Sequence, residues 1–483
     1  MNYQVIRRMI GWLLIFEAIF FIIPLITAVV FWEKEFFTFL ICGAICVGIG
    51  LLCIWKKPKK DTIYAKEGLV IVALSWIVMS IFGCLPFFIS GAIPSFIDAL
   101  FETVSGFTTT GSTILSGEQI DALANSLHIW RTFTHWIGGM GVLVFIMAFL
   151  PLSGARNMHL MKAESPGPTV DKLVPKVKTT AKILYIIYFG LTALQFIFLI
   201  CGGVSAFEAI NISFSVAGTG GFAIRGDSFA SYSPYVQVVA TIFMLLFGVN
   251  FNAYYLLGRG KFKEVLSTEI RVFLCIVVAS ITLIVANLLI TGTGDYTFGE
   301  ALRHTALTVA SIISTTGITT ENFDLWPTFS KAIIVSIMLI GACAGSTGGG
   351  IKVSRIMLLF KSAASQVRRI IHPNEIRVVS VGKKAVSNET IRSVNAFIVV
   401  YVFIYALSTL LLSIDAPSFE VAFVSVAATI NNVGPGLSAV GPAGNFAFYS
   451  AFSKIVIILD MLVGRLEIFP ILVLFMPSTW KKN

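Results

Sequence analysis

The sequence predicts an all-α integral membrane protein built from four copies of one unit, and three observations support this fold class. Hydrophobic residues make up 56% of the 483 residues and charged residues only 12%, whereas about 25% of a soluble domain is charged. Long apolar segments recur along the chain, and about 20 apolar helical residues cross a bilayer core. One short polar pattern containing a glycine occurs four times between apolar segments.

Ten apolar segments are long enough to cross a bilayer. They cover residues 10–31, 37–55, 69–90, 127–150, 183–203, 236–258, 272–290, 332–360, 394–413 and 447–476. The first segment follows Arg7 and Arg8, but it is too long for a signal peptide and no small-residue cleavage site follows it, so we expect a retained helix. The seven cysteines lie in these segments without a CxxC pair, which is typical of helix packing.

The net charge of +10 is distributed unevenly along the chain. With a cytoplasmic N-terminus, the cytoplasmic loops are rich in Lys and Arg and the outer loops are acidic. This distribution follows the positive-inside rule, so it indicates orientation, with both termini cytoplasmic, and not nucleic-acid binding. The basic runs at 55–60, 172–182 and 366–384 contact either anionic membrane lipid or a cytoplasmic partner, and the sequence leaves both open. Four ionisable residues are assigned to the spans themselves: Glu17, Asp460, Arg465 and Glu467.

A short polar stretch lies between two apolar segments at four places, each on the predicted outer side. The first is SGFTTTGST at 105–113, and the others contain AGTGGF, ISTTGI and INNVGPG, about a hundred residues apart. The copies are aligned on four glycines: Gly111, Gly221, Gly317 and Gly434. Six positions before each glycine there is a small residue: Ser105, Ser215, Ser311 and Ala428.

Helix-start signals precede these stretches. The first two copies begin with the capping pairs Ser95/Asp98 and Ser205/Glu208, and the third has Thr297/Glu300 four residues earlier. From cap to polar turn there are about 12 helical residues, or roughly 18 Å, little more than half of a 30 Å bilayer core. Each helix therefore enters the membrane and ends midway, with its negative dipole end toward the centre. The third helix is expected to be longer by about one turn.

The turns after these helices are suited to cation binding. Non-helical backbone at this depth must be buried in protein or line an aqueous cavity. Four turns together supply a ring of carbonyl oxygens without any acidic side chain, and such a neutral ring replaces the hydration shell of K⁺. The predicted filter consists of Thr109, Thr110, Gly111, Thr219, Gly220, Gly221, Thr315, Thr316, Gly317, Asn432, Val433 and Gly434. The alternative is that each turn merely connects two helices.

These motifs resemble the Trk/Ktr/HKT superfamily of cation transporters, most closely the bacterial TrkH potassium uptake subunits. The resemblance covers the whole chain and rests on SGFTTTGST, STTGITT, CAGSTGGGIKVSRI, NNVGPGL and LVGRLEIFPILVLF. It implies a pseudo-fourfold pore of four parallel M1–P–M2 repeats (span, re-entrant pore helix, span) with two extra N-terminal helices. The expected divisions are 1–66 for the two extra helices and 67–160, 161–262, 263–365 and 366–483 for the repeats.

The resemblance also implies binding partners and selectivity. It implies a homodimer in the bacterial inner membrane and a cytoplasmic TrkA-type regulatory subunit that binds a nucleotide, NAD or ATP/ADP, whereas this chain carries no cofactor. A glycine at each filter position is the family's mark of K⁺ preference, and all four are present here. Gly220 departs from the threonine of two other copies. Because only about three residues per copy align, we expect weaker K⁺/Na⁺ discrimination than a five-residue filter gives.

A gate is predicted in the span beginning near residue 332. A helix-interior glycine costs about 1 kcal/mol relative to alanine, so the glycine-rich run should break the helix. The resemblance places Arg465 beside this loop, where it would help to close the pore. The gate residues are Gly345, Ser346, Thr347, Gly348, Gly349, Gly350 and Arg465.

Three other interpretations of the gate residues were weighed. The loop resembles a phosphate loop, but Ile351 separates Gly350 from Lys352 and no strand precedes it. Its glycines would also suit close helix packing. Arg465 would also suit an ion pair with Asp460 or Glu467, because an arginine in a span needs a partner or a cavity.

Other function classes fit the sequence less well. An H⁺- or Na⁺-coupled potassium symporter, or a less selective K⁺/Na⁺ transporter, stays open, although the repeats are parallel and not inverted. An enzyme is not expected, because no HExxH or GxSxG motif is present and the five histidines are scattered over loops and span ends.

Overall fold

The computed structural model describes residues 1–56, 64–141, 177–374, 379–382 and 384–480. Parts of four predicted features lie outside the described residues. These are the end of the 127–150 span and portions of the three basic runs at 55–60, 172–182 and 366–384.

The described chain is almost entirely helical. Its helices are α1 (Tyr3–Phe20), α2 (Ile22–Val30), α3 (Glu35–Ile54), α4 (Ala65–Gly83), α5 (Leu85–Ile89), α6 (Phe96–Phe107), α7 (Gly117–Asp121), α8 (Asn125–Gly139), α9 (Val177–Cys201), α10 (Ala206–Ala217), α11 (Pro234–Gly248), α12 (Phe251–Gly258), α13 (Phe262–Val265), α14 (Thr268–Thr291), α15 (Phe298–Ile313), α16 (Thr328–Ile340), α17 (Val353–Ile371), α18 (Asn388–Leu412), α19 (Phe419–Ile430), α20 (Ala451–Arg465), α21 (Phe469–Phe475) and α22 (Pro477–Trp480). A two-stranded antiparallel hairpin pairs β1 (Ser380–Val381) with β2 (Lys384–Ala385).

Six continuous stretches of helix are long and apolar enough to cross a membrane: Tyr3–Val30, Glu35–Ile54, Lys66–Ile89, Thr179–Cys201, Thr268–Thr291 and Asn388–Leu412. They correspond to six of the ten predicted spans. The chain is therefore a multi-pass membrane protein, and the remaining predicted spans are interrupted or extend beyond the described residues.

The predicted span 236–258 is wrong as a continuous helix. It is split into α11 and α12, whose axes differ by 91°. Val249 is extended at the break, and the Asn250 side chain caps α12 by accepting from the N–H of Asn252. Two backbone hydrogen bonds to a neighbouring segment, Cys343 N–H to Gly248 O and Phe251 N–H to Gly345 O, replace the helical bonds lost there.

The predicted span 447–476 is also interrupted. Helix α20 ends at Arg465, and α21 begins at Phe469 with Pro470 in its first turn. Between them Glu467 and Ile468 have φ angles of 54° and 70°, which a continuing helix cannot contain. This break leaves Arg465 at a helix end.

The four short helices match their predicted lengths. Helices α6, α10 and α19 contain 12 residues each and α15 contains 16, which confirms the extra turn in the third copy. Each begins with a hydroxyl side chain that accepts from a backbone N–H in the first turn: Ser95, Ser205, Thr297 and Ser418.

The packing of the short helices is cyclic. Helix α6 contacts α8 and α20, α10 contacts α8 and α11, α15 contacts α11 and α16, and α19 contacts α16 and α20. Each short helix thus lies between the helix that follows it in its own repeat and the corresponding helix of the preceding repeat. Because α20 of the last repeat contacts α6 of the first, this order closes into a ring.

Candidate ion pathway

The four short helices end in the same backbone turn. The N–H groups of Thr110, Gly220, Thr316 and Val433 each donate to a carbonyl five residues earlier, at 2.9, 2.9, 2.7 and 2.8 Å. The N–H of the preceding residue donates to a carbonyl three residues earlier in each case. This pair of bonds is the Schellman motif that closes a helix C-terminus. The small residues six positions before each glycine supply the carbonyl that accepts the longer bond.

A left-handed residue opens each turn. The φ angles are 54° for Thr109, 54° for Thr219, 60° for Thr315 and 54° for Asn432. Glycine normally occupies this position of the motif, and a non-glycine residue there costs roughly 1–2 kcal/mol. Three of the four residues are β-branched threonines, for which the conformation is least favourable. Backbone strain of this kind concentrates at functional sites.

The four aligned glycines bring the turns together. Their φ angles of 80°, 83°, 83° and 103° already favour glycine over other residues. A Cβ atom on Gly111 would overlap the carbonyl oxygen of Gly220, one on Gly221 that of Thr316, and one on Gly317 that of Val433. A Cβ on Gly434 would lie 2.8 Å from the carbonyl oxygen of Thr110, which closes the circle. Each turn therefore places a carbonyl oxygen directly against the glycine of the turn before it.

Further contacts close the ring between the fourth and first turns. The Asn432 side chain donates to Thr110 Oγ1 at 2.9 Å, and Ser112 Oγ donates to the carbonyl of Gly434 at 3.1 Å. A single cavity is lined by all four glycines. The four predicted filter turns thus meet in one place, where their glycines line an open cavity.

The predicted glycine-rich loop interrupts its helix as expected. Helix α16 ends at Ile340, α17 begins at Val353, and positive φ angles occur at Gly341, Gly345 and Gly350. We call residues 341–352 the gate loop. A helix and not a strand precedes the loop, and the ammonium group of Lys352 donates to the loop carbonyl of Gly348. Both features differ from a phosphate loop.

The gate loop lies directly against the third and fourth filter turns. The N–H of Gly349 donates to Thr315 Oγ1 at 2.6 Å. A Cβ on Gly348 would lie 2.8 Å from the carbonyl oxygen of Ser314, and one on Gly349 would lie 2.5 Å from that of Asn431. The glycines therefore allow the loop to approach the filter backbone without a side chain between them.

Arg465 holds the gate loop to another part of the ring. Its Nη1 donates to the carbonyl of Thr347 at 2.8 Å, and its Nη2 donates to the carbonyls of Gly138 and Gly139, the latter at 2.8 Å. Gly138 and Gly139 are the last residues of α8, whose C-terminal carbonyls carry partial negative charge and favour a cation. Arg465 also lines one cavity together with Gly345, Ser346 and Gly348–Gly350.

The two acids considered as partners of Arg465 have other contacts. Asp460 Oδ1 accepts from the Ser408 hydroxyl at 2.6 Å. Glu467 forms an ion pair with Arg355 of α17. The carbonyl contacts of Arg465 place its guanidinium at the loop.

The comparisons with known proteins agree with this geometry. Residues 35–482 match the TrkH family, described as a cation transport protein. The chain is 35% identical to the Trk system potassium uptake protein TrkH of Escherichia coli K12 over 491 residues, and 35% identical to that of Salmonella typhimurium LT2 over 488 residues, with 100% of each chain covered. The crystal structure of the potassium transporter TrkH from Vibrio parahaemolyticus matches over 100% of both chains, with 31% identity and a TM-score of 0.88.

The chain belongs to the TrkH family. Membership confirms the resemblance found in the sequence and the expectation of a membrane transporter and not an enzyme. The relatives are named as proteins of a Trk system.

Sequence reasoning about this TrkH-family chain missed one buried ion pair. Arg131 Nε lies 2.6 Å from Glu102 Oε1, and both side chains are buried. Glu102 also accepts from the Thr113 hydroxyl and the N–H of Ile114, and Arg131 Nη1 donates to the carbonyl of Ala223 at 2.9 Å. The pair therefore links the segment after the first filter turn to the segment after the second. Arg131 was not counted among the ionisable residues within spans, although its position inside an apolar run was a signal.

Two residues that support the gate loop were also missed. Glu269, in the first turn of α14, accepts from the N–H of Ala344 at 2.7 Å. The carbonyl of Phe247, at the end of α11, accepts from the Thr347 hydroxyl at 3.2 Å. The two asparagines of VNFN at 249–252 were a signal for the break beside this loop, because asparagine is a preferred N-cap residue.

Proposed function

We propose that this protein takes up potassium across the bacterial inner membrane through a carbonyl-lined selectivity filter. The observation that carries the proposal is the ring of four strained turns, each with a carbonyl oxygen against the glycine of its neighbour. None of the twelve filter residues is acidic. A ring of neutral oxygens replaces the water around K⁺ without binding it so tightly that it cannot leave. The relatives' names as potassium uptake proteins support the same ion.

The four short helices assist the filter electrostatically. Each ends at a filter turn, so its C-terminal partial negative charge of roughly half an electron is directed at the ring. Four such helix ends stabilise a cation at the membrane centre without a fixed carboxylate. With an inside-negative membrane, each K⁺ gains about 2.3 kcal/mol per 100 mV on entry. This potential suffices to drive accumulation without ATP hydrolysis by this chain.

The gate loop and Arg465 form the intracellular gate in this proposal. The loop lies on the filter, and the guanidinium holds it to α8 of the first repeat. A guanidinium in a cation pathway opposes K⁺ by repulsion, and its bonds to the loop hold the obstruction in place. Opening requires the loop to move away from Thr315 and from Arg465 together.

A cytoplasmic partner is proposed to move the loop. Helix α17 begins at the end of the gate loop and carries exposed Arg368 and Arg369 in its last turn. A TrkA-type subunit that binds NAD or ATP/ADP and docks on this basic surface would pull directly on the loop through the helix. The active unit is proposed to be a homodimer of this chain, with both termini in the cytoplasm.

Reconstitution of the purified chain tests the proposal. Proteoliposomes are given K⁺, Rb⁺ or Na⁺ outside, with a potential dye and an internal proton reporter. Electrogenic K⁺ and Rb⁺ entry that exceeds Na⁺ entry, with no proton signal, supports a filter and gate. Strict dependence of K⁺ entry on a proton or Na⁺ gradient would show that the protein is a symporter and not a uniporter. Equal entry of all three cations would overturn the filter.

A further inference from the structure

Gly220 is the one filter position at which the second repeat departs from the first and third. In those repeats the hydroxyl of Thr110 lies 2.7 Å from that of Thr108, and the hydroxyl of Thr316 lies 2.7 Å from that of Ser314. Each pair links the middle residue of the turn to the residue that caps the short helix. The corresponding residues of the second repeat are Gly218 and Gly220, so this hydroxyl pair is missing there.

The side chain of His135, from helix α8 of the first repeat, occupies the vacated space. A Cβ on Gly220 would overlap the imidazole at its Cγ and Nδ1 atoms, and a Cβ on Gly218 would overlap the backbone carbonyl and Cβ of His135. Gly220 is therefore required by the imidazole, and Gly218 by the backbone of α8 at His135. His135 is fully buried, so its ring is held in this position by packing as well as by hydrogen bonds.

Both ring nitrogens of His135 have partners. Nδ1 lies 2.7 Å from the carbonyl oxygen of Gly106, and Nε2 lies 3.3 Å from the backbone nitrogen of Phe222. A backbone N–H can only donate, so Nε2 accepts. The ring is then neutral with its proton on Nδ1, which donates to Gly106. Gly106 belongs to the closing turn of α6, and Phe222 follows the filter glycine Gly221, so the ring connects the first filter turn to the second.

We infer that His135 is a positioning residue of the selectivity filter, which replaces the hydroxyl pair in the second repeat. This inference rests on the proposed filter. The imidazole fixes the carbonyl of Gly220 against Gly111 and the backbone after Gly221, and it thereby sets the spacing of the oxygens that discriminate K⁺ from Na⁺. A residue that served packing alone would be replaceable by another ring of the same size without a change in ion preference.

The first experiment separates the hydrogen bonds from the packing. Wild type, His135→Phe and His135→Asn are reconstituted, and the ratio of K⁺ to Na⁺ uptake is measured beside the thermal unfolding midpoint. We expect Phe to keep an aromatic ring in place but to lower the ratio about tenfold, because both hydrogen bonds to the backbone of Gly106 and Phe222 are lost. Asn, which keeps a donor and an acceptor, should recover part of the ratio. The control is His128→Phe, which lies two turns away on the same helix and should leave the ratio unchanged.

A compensation experiment tests whether a threonine at position 220 can take the place of the His135 ring. Gly220→Thr alone should reduce K⁺ uptake at least about tenfold, because residues in contact interact strongly and the new side chain would overlap the ring. In the double variant His135→Ala, Gly220→Thr the ring that the threonine would overlap is absent, so uptake and selectivity should recover to within about threefold of wild type, which strong coupling permits.

The outcomes distinguish the inference from the proposed function. If the wild-type chain shows no preference for K⁺ over Na⁺, the filter proposal fails. If wild type is selective but His135→Phe keeps the same ratio, and the effects of the two substitutions in the double variant are additive, then His135 is a packing residue and the inference is overturned. The measured unfolding midpoints show that each variant scored is folded.

Discussion

The filter turns and the gate loop are both glycine-rich backbone inside the membrane, but they are held in different ways. Each filter turn is closed by two backbone hydrogen bonds to its own helix, and this arrangement occurs four times. The gate loop occurs once and is bound by side chains from other segments, among them Arg465, Glu269 and Thr315. The filter turns are thus held by local bonds, whereas the gate loop is held by bonds that join separate helices. We expect the bonds of the loop to break without disturbing the turns.

The substitution with the largest expected effect adds a methyl group to the filter ring. Gly221→Ala places a Cβ on the carbonyl oxygen of Thr316 in a backbone with φ of 83°. We expect K⁺ uptake to fall at least about a hundredfold, because alanine is unfavourable at positive φ and the ring cannot widen without losing its oxygen spacing. The measurement is initial Rb⁺ uptake in proteoliposomes.

Gly434→Ala is the matched comparison within the same ring. Its Cβ would lie 2.8 Å from the carbonyl oxygen of Thr110, the least severe of the four overlaps. Uptake should therefore fall less than for Gly221→Ala. Equal and small losses at both positions would contradict the ring geometry.

The four polar turns and the short helices before them could be predicted from sequence because their determinants are local. Capping residues, helix length and the glycine that follows lie within about twenty residues of one another in each copy, and fourfold repetition strengthens the pattern. The His135–Gly220 packing could not be found this way, because the two residues belong to different repeats. The sequence showed that Gly220 departs from the threonine of two other copies, but it did not show why.

The breaks in α11/α12 and α20/α21 also escaped prediction for a tertiary reason. Apolar composition favours a continuous helix at 236–258 and 447–476. The first break is stabilised by backbone hydrogen bonds between the gate loop and Gly248 and Phe251, and the local signal at Asn250 was outweighed by the apolar composition. The loop itself was predicted because clustered glycines are unfavourable in a helix wherever they occur.

Removal of Arg465 should have the next largest effect, in the opposite direction. Arg465→Ala eliminates the bonds to Thr347, Gly138 and Gly139 together with a positive charge. Because charge-assisted hydrogen bonds contribute roughly 1.5–3 kcal/mol each, we expect basal Rb⁺ flux in the absence of a partner to rise by about tenfold or more. Arg259→Ala, which removes an exposed arginine stacked on Tyr255, is the control and should leave the flux unchanged. Unchanged or reduced flux in folded Arg465→Ala protein would refute the gate.

The smallest expected effect concerns the one hydrogen bond that joins filter and gate loop directly. Thr315→Val removes the hydroxyl that accepts from Gly349 N–H but keeps a β-branched side chain in the same left-handed backbone. A neutral hydrogen bond contributes about 1 kcal/mol, so the ratio of flux without the partner to flux with it should rise about threefold to fivefold. A change in conduction through the filter itself alters both fluxes alike and therefore cancels in this ratio. Thr109→Val is the matched variant, since Thr109 has a similar positive φ angle, 54° against 60°, but lies in the first turn. An equal rise in the ratio for both variants would show that the effect comes from the filter ring, and the gate would then be independent of the contact at Thr315.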